Sequence, residues 1–163
     1  MIIIKNSEQI AMMKTAGRIT AEALLVAKDA IRPGVSTKEI DTKIHDFIRK
    51  CGAVPSFLGY GGFPGSACIS INNEVIHGIP SKKVIIHEGD IVKIDVGARY
   101  CGYNGDSART FAVDKVSDEA LRLISVTEQS LPSAVTTVQP SFNTLTSGLP
   151  AFTMGSMARV MPE

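Results

Sequence analysis

Ile91-Val92-Lys93-Ile94-Asp95-Val96-Gly97-Ala98-Arg99-Tyr100-Cys101-Gly102-Tyr103-Asn104-Gly105-Asp106-Ser107-Ala108-Arg109-Thr110-Phe111-Ala112-Val113 is the stretch on which the fold turns. Two β-rich runs, Ile91–Ala98 and Asp106–Val113, flank a turn that ends in Gly102, which predicts an antiparallel hairpin. With Arg99 to Gly102 as a four-residue loop and Gly102 left-handed, Ala98 pairs with Tyr103. Carried inward, that register sets Asp95 directly opposite Asp106.

Aspartate is disfavoured inside strands, so two of them facing each other ask for a reason. Directly opposed Cβ atoms lie roughly 4.5–5.5 Å apart. Carboxylates that close repel, and in an apolar surround one takes up a proton unless a cation intervenes. A divalent metal resolves the conflict, since such ions accept hard oxygen ligands. Spacing alone leaves a second reading open, in which one Asp bonds a Lys or Arg or sits at a frayed strand end. An odd-numbered loop would send the two side chains to opposite faces.

Moving outward, Ser66 to Asn72 alternates as a strand, with Cys68 and Ser70 on one side and Ala67, Ile69 and Ile71 on the other. Val84-Ile85-Ile86 is a short apolar run before the turn His87-Glu88-Gly89-Asp90. Tyr60-Gly61-Gly62-Phe63-Pro64-Gly65 reads as a loop. It lacks the Gly-Lys-Ser/Thr ending of a phosphate loop, and Tyr60 and Phe63 suit the wall of a small apolar pocket.

Upstream, Ser7 stands at an N-cap position with Glu8 in the first turn. Ile10, Met13, Gly17, Thr20, Leu24, Ala27 and Ile31 then mark one face of a long helix ended by Pro33-Gly34. Ser36-Thr37-Lys38-Glu39 is a capping box opening a second helix, with Ile40, Ile44, Phe47 and Ile48 as its buried face and Gly52 as C-cap. Downstream, Ser117-Asp118 caps a third helix through Leu121, Ile124 and Leu131. The pattern as a whole is α+β.

His77, in Val75-Ile76-His77-Gly78-Ile79-Pro80, lies where an apolar run must turn; a lone histidine there reads first as a hydrogen-bonded structural residue and second as a functional one. His45 and His87 are expected at the surface. Cys51, Cys68 and Cys101 match no zinc spacing and read as free thiols of a reducing compartment. Seventeen Lys and Arg balance sixteen Asp and Glu, so charge argues for no direct nucleic-acid or membrane partner. No secretory leader is visible and no apolar run approaches the ~18 residues of a membrane span. The expected location is the cytoplasm.

At Pro132 the composition changes. Residues 132–163 hold two charged residues, Arg159 and Glu163, four of the eight prolines and nine Ser or Thr. The expected division is an ordered domain over 1–131 and a tail, 132–163, with little regular structure.

Taken in order, Pro33-Gly34-Val35-Ser36, Leu58-Gly59-Tyr60 with Phe63-Pro64, Cys68-Ile69-Ser70-Ile71-Asn72, His77-Gly78-Ile79-Pro80, Gly89-Asp90-Ile91-Val92, Ile94-Asp95-Val96, Gly105-Asp106 and Arg109-Thr110-Phe111 closely resemble the type I methionine aminopeptidases. The likeness runs from about residue 3 to 131. It implies one half of a pita-bread fold, with an antiparallel sheet and helices on one face. It also implies divalent metal ions (Co, Mn, Fe or Zn), two per complete site, that activate a water against the first peptide bond. By the resemblance Asp95 chelates one metal and Asp106 bridges both, and His77 contacts substrate as the catalytic histidine. Tyr60, Phe63, Cys68 and Phe57 fall at positions lining the methionine side-chain pocket; Phe57 and Phe63 replace residues often found there.

The resemblance further implies removal of the initiator methionine from nascent proteins, whose N-terminal Met peptides are then the partners, with the ribosome as a further one. The family's remaining ligands, one His and two Glu, follow a Gly-His-Gly segment, and nothing like it follows Leu131. A non-matching tail of this kind fits a frameshift, a sequence error or a genuine variant. The expectation is a truncated chain inactive by itself. An open sheet edge would favour self-association. The alternative is a non-catalytic fold fragment that binds N-terminal peptides or the ribosome.

Overall fold

A computed structural model describes residues 4–138, with side chains described through residue 130. Strand β3 (Ile91–Tyr100) is the centre of a four-stranded antiparallel sheet. Along one side it pairs over its whole length with β4 (Tyr103–Ala112). Along the other it pairs first with β2 (Ala67–Ile71) and then with the two-residue β1 (Val54–Pro55). So short a strand gives no periodic signal, which is why the sequence did not reveal β1.

The hairpin differs from its expected register. Tyr100 pairs with Tyr103, leaving a two-residue loop in which Cys101 (φ 49°) and Gly102 (φ 81°) are both left-handed. A turn of that form matches the right-handed strand twist, so the ladder continues closer to the turn than a four-residue loop allows. Asp95 therefore stands opposite Ala108, and Asp106 opposite Gly97. Direct opposition of the two aspartates is corrected to a diagonal relation. The slip is an even one, so both side chains still share a face.

Alternation gives the sheet two different faces. Val92, Ile94, Val96 and Ala98 of β3, Ala67 and Ile69 of β2 and Phe111 of β4 form the core with the helices. Helix α1 (Ser7–Ala30) lies against β3 and β4, and α2 (Thr37–Lys50) against β1 and β2. The opposite face carries Cys68, Ser70, Asp95 and Asp106.

The α1 N-cap is Asn6 rather than Ser7. Its Oδ1 accepts from Gln9 N at 2.9 Å, and Gln9 Oε1 accepts from Asn6 N at 2.9 Å. Gln9 makes the reciprocal bond that a Ser7 cap would lack. Burial on α1 begins only at Ala16, leaving Ile10 exposed and Met13 half-buried. On α2, Ser36 Oγ accepts from Glu39 N at 3.3 Å, and Ile40, Ile44 and Ile48 are fully buried while Phe47 is half-buried. The run Val84-Ile85-Ile86 is held at the start of α2 by a bridge between Ser36 and Ile85 and by bonds from Thr37 N to Val84 O and Ile86 N to Val35 O, both 2.9 Å.

One buried carboxylate ties α2 to the sheet. Asp41 is 2 % exposed; its Oδ1 accepts from Ser66 N (2.7 Å) and Ala67 N (3.1 Å), and its Oδ2 from Lys38 Nζ (2.7 Å). His45, expected at the surface, is half-buried one turn on, with Nδ1 2.9 Å from Ser66 Oγ. The two contacts fix the first residues of β2, and through them Cys68.

A second unit begins at Ser117. Ser117 Oγ accepts from Ala120 N at 3.2 Å and caps α3 (Asp118–Val138). This helix passes through Pro132, beyond the compositional change at which it was expected to stop. A proline inside a helix removes one i→i−4 bond but does not by itself end it. Residues 139–163, the remainder of the expected tail, lie outside the described residues. Among the described residues no helix is long and apolar enough to cross a membrane.

Replacing Asp41 by Ala strands the buried Ser66 and Ala67 N–H groups. The unfolding free energy should fall by about 3 kcal/mol, measured by urea denaturation. A loss below about 1 kcal/mol would show that β2 does not depend on this carboxylate.

Candidate metal centre

Asp95 and Asp106 are diagonal neighbours on adjacent strands, a relation in which Cα atoms stand roughly 7–8 Å apart and side chains still meet. Both are half-buried. Asp95 Oδ1 is buried and has no hydrogen-bond partner. No Lys or Arg forms an ion pair with either aspartate among the described residues, so the reading in which a basic side chain neutralises one of them finds no support.

The electrostatics follow from that isolation. Burial first, then the Asp106 charge and a hydrogen bond to the Asp106 side chain, push the Asp95 carboxyl from 3.8 up to about 6. Cys68 stands across from Asp95 on β2. Its thiol is pushed up to about 11, chiefly by burial and then by the charges of Asp95 and Asp106. At neutral pH it is a protonated, soft, apolar group.

An orphaned buried oxygen, a second carboxylate beside it and no basic partner form a donor set that a divalent cation would satisfy. Two ligands are not a complete shell. Among the described residues no group of three or more His, Cys, Asp and Glu is arranged to hold a metal.

Phe57 is brought to this pair by Gly97. A Cβ on Gly97 would sit 2.8 Å from Phe57 Cε1 and 3.0 Å from Ser56 Cβ, so the ring occupies the space above the residue paired with Asp106. Gly97 is a site residue that sequence reading missed, since only the long-range contact reveals its use. Phe63 packs with Pro80 around Gly65, joining the glycine-rich loop to the segment that carries His77. That segment runs along the edge of β2: Gly78 N donates to Ser70 Oγ (3.0 Å), and Gly78 O accepts from Ile69 N (2.9 Å).

His77 itself is exposed, with φ 59°. A left-handed backbone at a non-glycine residue costs on the order of 1 kcal/mol and is found disproportionately at functional positions. Tyr60, 65 % exposed, sits in a 3₁₀ turn (Tyr60–Gly62). Cys68 thus stands across from Asp95 and Phe57 over Gly97, the residue paired with Asp106, whereas Tyr60 and His77 make no hydrogen bond to the carboxylates among the described residues.

The half-sheet thus carries helices on one face and a half-buried carboxylate pair on the other. The sequence matches the profile of metallopeptidase family M24 over residues 11–147, and the chain belongs to that family. It is 55% identical over 130 residues to the methionine aminopeptidase of Clostridium acetobutylicum, covering 80% of this chain and 52% of that protein. It is 47% identical over 140 residues to methionine aminopeptidase 1 of Bacillus subtilis, covering 86% and 56%. Among solved structures, the methionine aminopeptidase of Thermotoga maritima superposes with a TM-score of 0.81 at 39% identity, over 83% of this chain and 55% of that one. The architecture is the expected α+β half of the pita-bread fold, and the chain spans about half the length of the curated relatives it matches.

The raised Asp95 pKa has a consequence for stability. The folded chain holds this proton more tightly than the unfolded chain, so the favourable contribution is complete below pH 3.8 and is lost as pH rises through about 6. Above that, ionised Asp95 opposes folding by on the order of 1–2 kcal/mol once solvent screening is discounted. With chelator present, Asp95→Asn should gain that much stability relative to the parent between about pH 4 and about pH 7. Urea midpoints that differ by a constant amount across this range would contradict the shift.

Proposed function

We propose that this chain supplies the metal-chelating carboxylates and one wall of the substrate pocket of an aminopeptidase that removes the N-terminal methionine of newly made proteins. The observation that carries the reading is the unpartnered buried oxygen of Asp95 beside Asp106, in a chain whose matched relatives are methionine aminopeptidases. A divalent ion held there would supply Lewis-acid activation of water for attack on the first peptide bond.

The chain's own residues do the rest. Asp95 and Asp106 would hold the cation from one face of the sheet. The protonated Cys68 thiol and the Phe57 ring offer a soft and an aromatic surface to the methionine side chain beside the carboxylates. Phe63 and Tyr60 extend that wall along the loop. His77, at the edge of β2 next to the strand-bound Gly78, would contact the substrate peptide, as the resemblance implies.

The resemblance calls for one further His and two Glu, and beyond Leu131 the sequence holds no His and a single acid, Glu163. Purified 1–163 should therefore release no methionine from a Met-Ala-Ser peptide above background, even with excess Mn²⁺. Adding the C-terminal half of the Bacillus subtilis relative should restore release, and Asp95→Ala should abolish it again. Release by 1–163 alone that disappears in Asp95→Ala would overturn the inactivity. A stable complex of the two halves that releases nothing would overturn the functional reading.

A further inference from the structure

Asp106 lies on β4, which among the described residues pairs only with β3. Because its relation to Asp95 is diagonal, any slide or lift of β4 changes the separation of the two carboxylates. Hydrogen bonds to one neighbour leave an edge strand comparatively free to make such a movement. Something else must hold β4 at Asp106.

The residues on either side of Asp106 provide the hold. Gly105 and Ser107 point to the helix face, as alternation requires, and both meet α1. A Cβ on Gly105 would lie 2.4 Å from Ala16 O and 2.7 Å from Gly17 N, so the helix backbone rests directly on the strand. Ser107, 7 % exposed, places its Oγ 3.1 Å from Oγ1 of the fully buried Thr20. Thr20 Oγ1 in turn donates to Gly17 O at 2.8 Å. A hydroxyl has one proton to give, so Ser107 is the donor to Thr20. The bonds run from Ser107 to Thr20 to Gly17, back to the turn of α1 that seats Gly105.

Stability alone gives no reason for two hydroxyls here, because replacing both partners of a buried hydrogen bond by apolar groups of similar shape is close to neutral. We propose that the α1 clamp, made of the Gly105 seat and the Ser107–Thr20–Gly17 relay, sets the position of the Asp106 carboxylate relative to Asp95. Thr20 and Ser107 are then positioning residues of the metal centre, acting from the opposite face of the sheet. The inference rests on the reading of Asp95 and Asp106 as metal ligands.

The test uses the chain 1–163 and reads bound Mn²⁺ by electron paramagnetic resonance, with urea denaturation in parallel. Thr20→Val combined with Ser107→Ala should leave the urea midpoint nearly unchanged and raise the Mn²⁺ dissociation constant roughly tenfold, the size of effect typical for groups that orient a ligand. Thr20→Ser, which keeps the hydroxyl, should bind as the parent does. If the double variant fails to fold, Ser107→Ala alone is read in the same way. Asp95→Asn and Asp106→Asn serve as controls and should each abolish binding. Binding lost in those controls but unchanged in the double variant overturns the clamp alone. Binding retained in both controls, or absent from the parent, overturns the metal reading and the clamp with it.

Discussion

Two carboxylates held beside each other on one face of a sheet, with no ion pair to a basic side chain among the described residues, are the constraint around which this fold is arranged. In water, Asp95 and Asp106 would separate and hydrate. On the sheet they cannot, because β4 is paired with β3 and seated on α1 on either side of Asp106. Part of the strain appears as a proton that Asp95 holds up to about pH 6, and part as an oxygen that nothing in the described chain satisfies. A cation removes both at once by taking the place of the proton and bonding the free oxygen.

The remainder of the described chain keeps that arrangement in place. Helices α1 and α2 cover the opposite face, so the apolar burial that stabilises the domain lies away from the polar site. Asp41 and His45 hold the start of β2 and with it Cys68, while α1 is pressed against β4 on either side of Asp106. Gly97 leaves room for the Phe57 ring above the residue paired with Asp106. The half-sheet thus brings a charged centre and an apolar wall together, as recognition of a methionine side chain next to a reacting peptide bond would need.

Much of this was legible in the residues. The two strands, the left-handed Gly102 and the shared face of Asp95 and Asp106 follow from alternation and an even loop. The register did not follow, because a two-residue turn also requires a left-handed Cys101, and nothing in a cysteine announces that conformation. His45 looked exposed because helix periodicity describes one element, whereas its partner Ser66 is supplied by the chain entering β2. The uses of Gly97 and Gly105 were hidden for a similar reason: each depends on what another element places above the missing Cβ. The change at Pro132 is real in composition, yet the helix passes through it, since backbone hydrogen bonding does not track charge content.

The most direct test of the central claim is anomalous diffraction from crystals of the chain grown with Mn²⁺. The account predicts one peak between Asp95 and Asp106, within ~2.0–2.2 Å of an oxygen from each, with Asp95 Oδ1 among the ligands. A Mn²⁺ peak bound by only one of the two aspartates, or seated elsewhere while the pair shares its proton undisturbed, would contradict it.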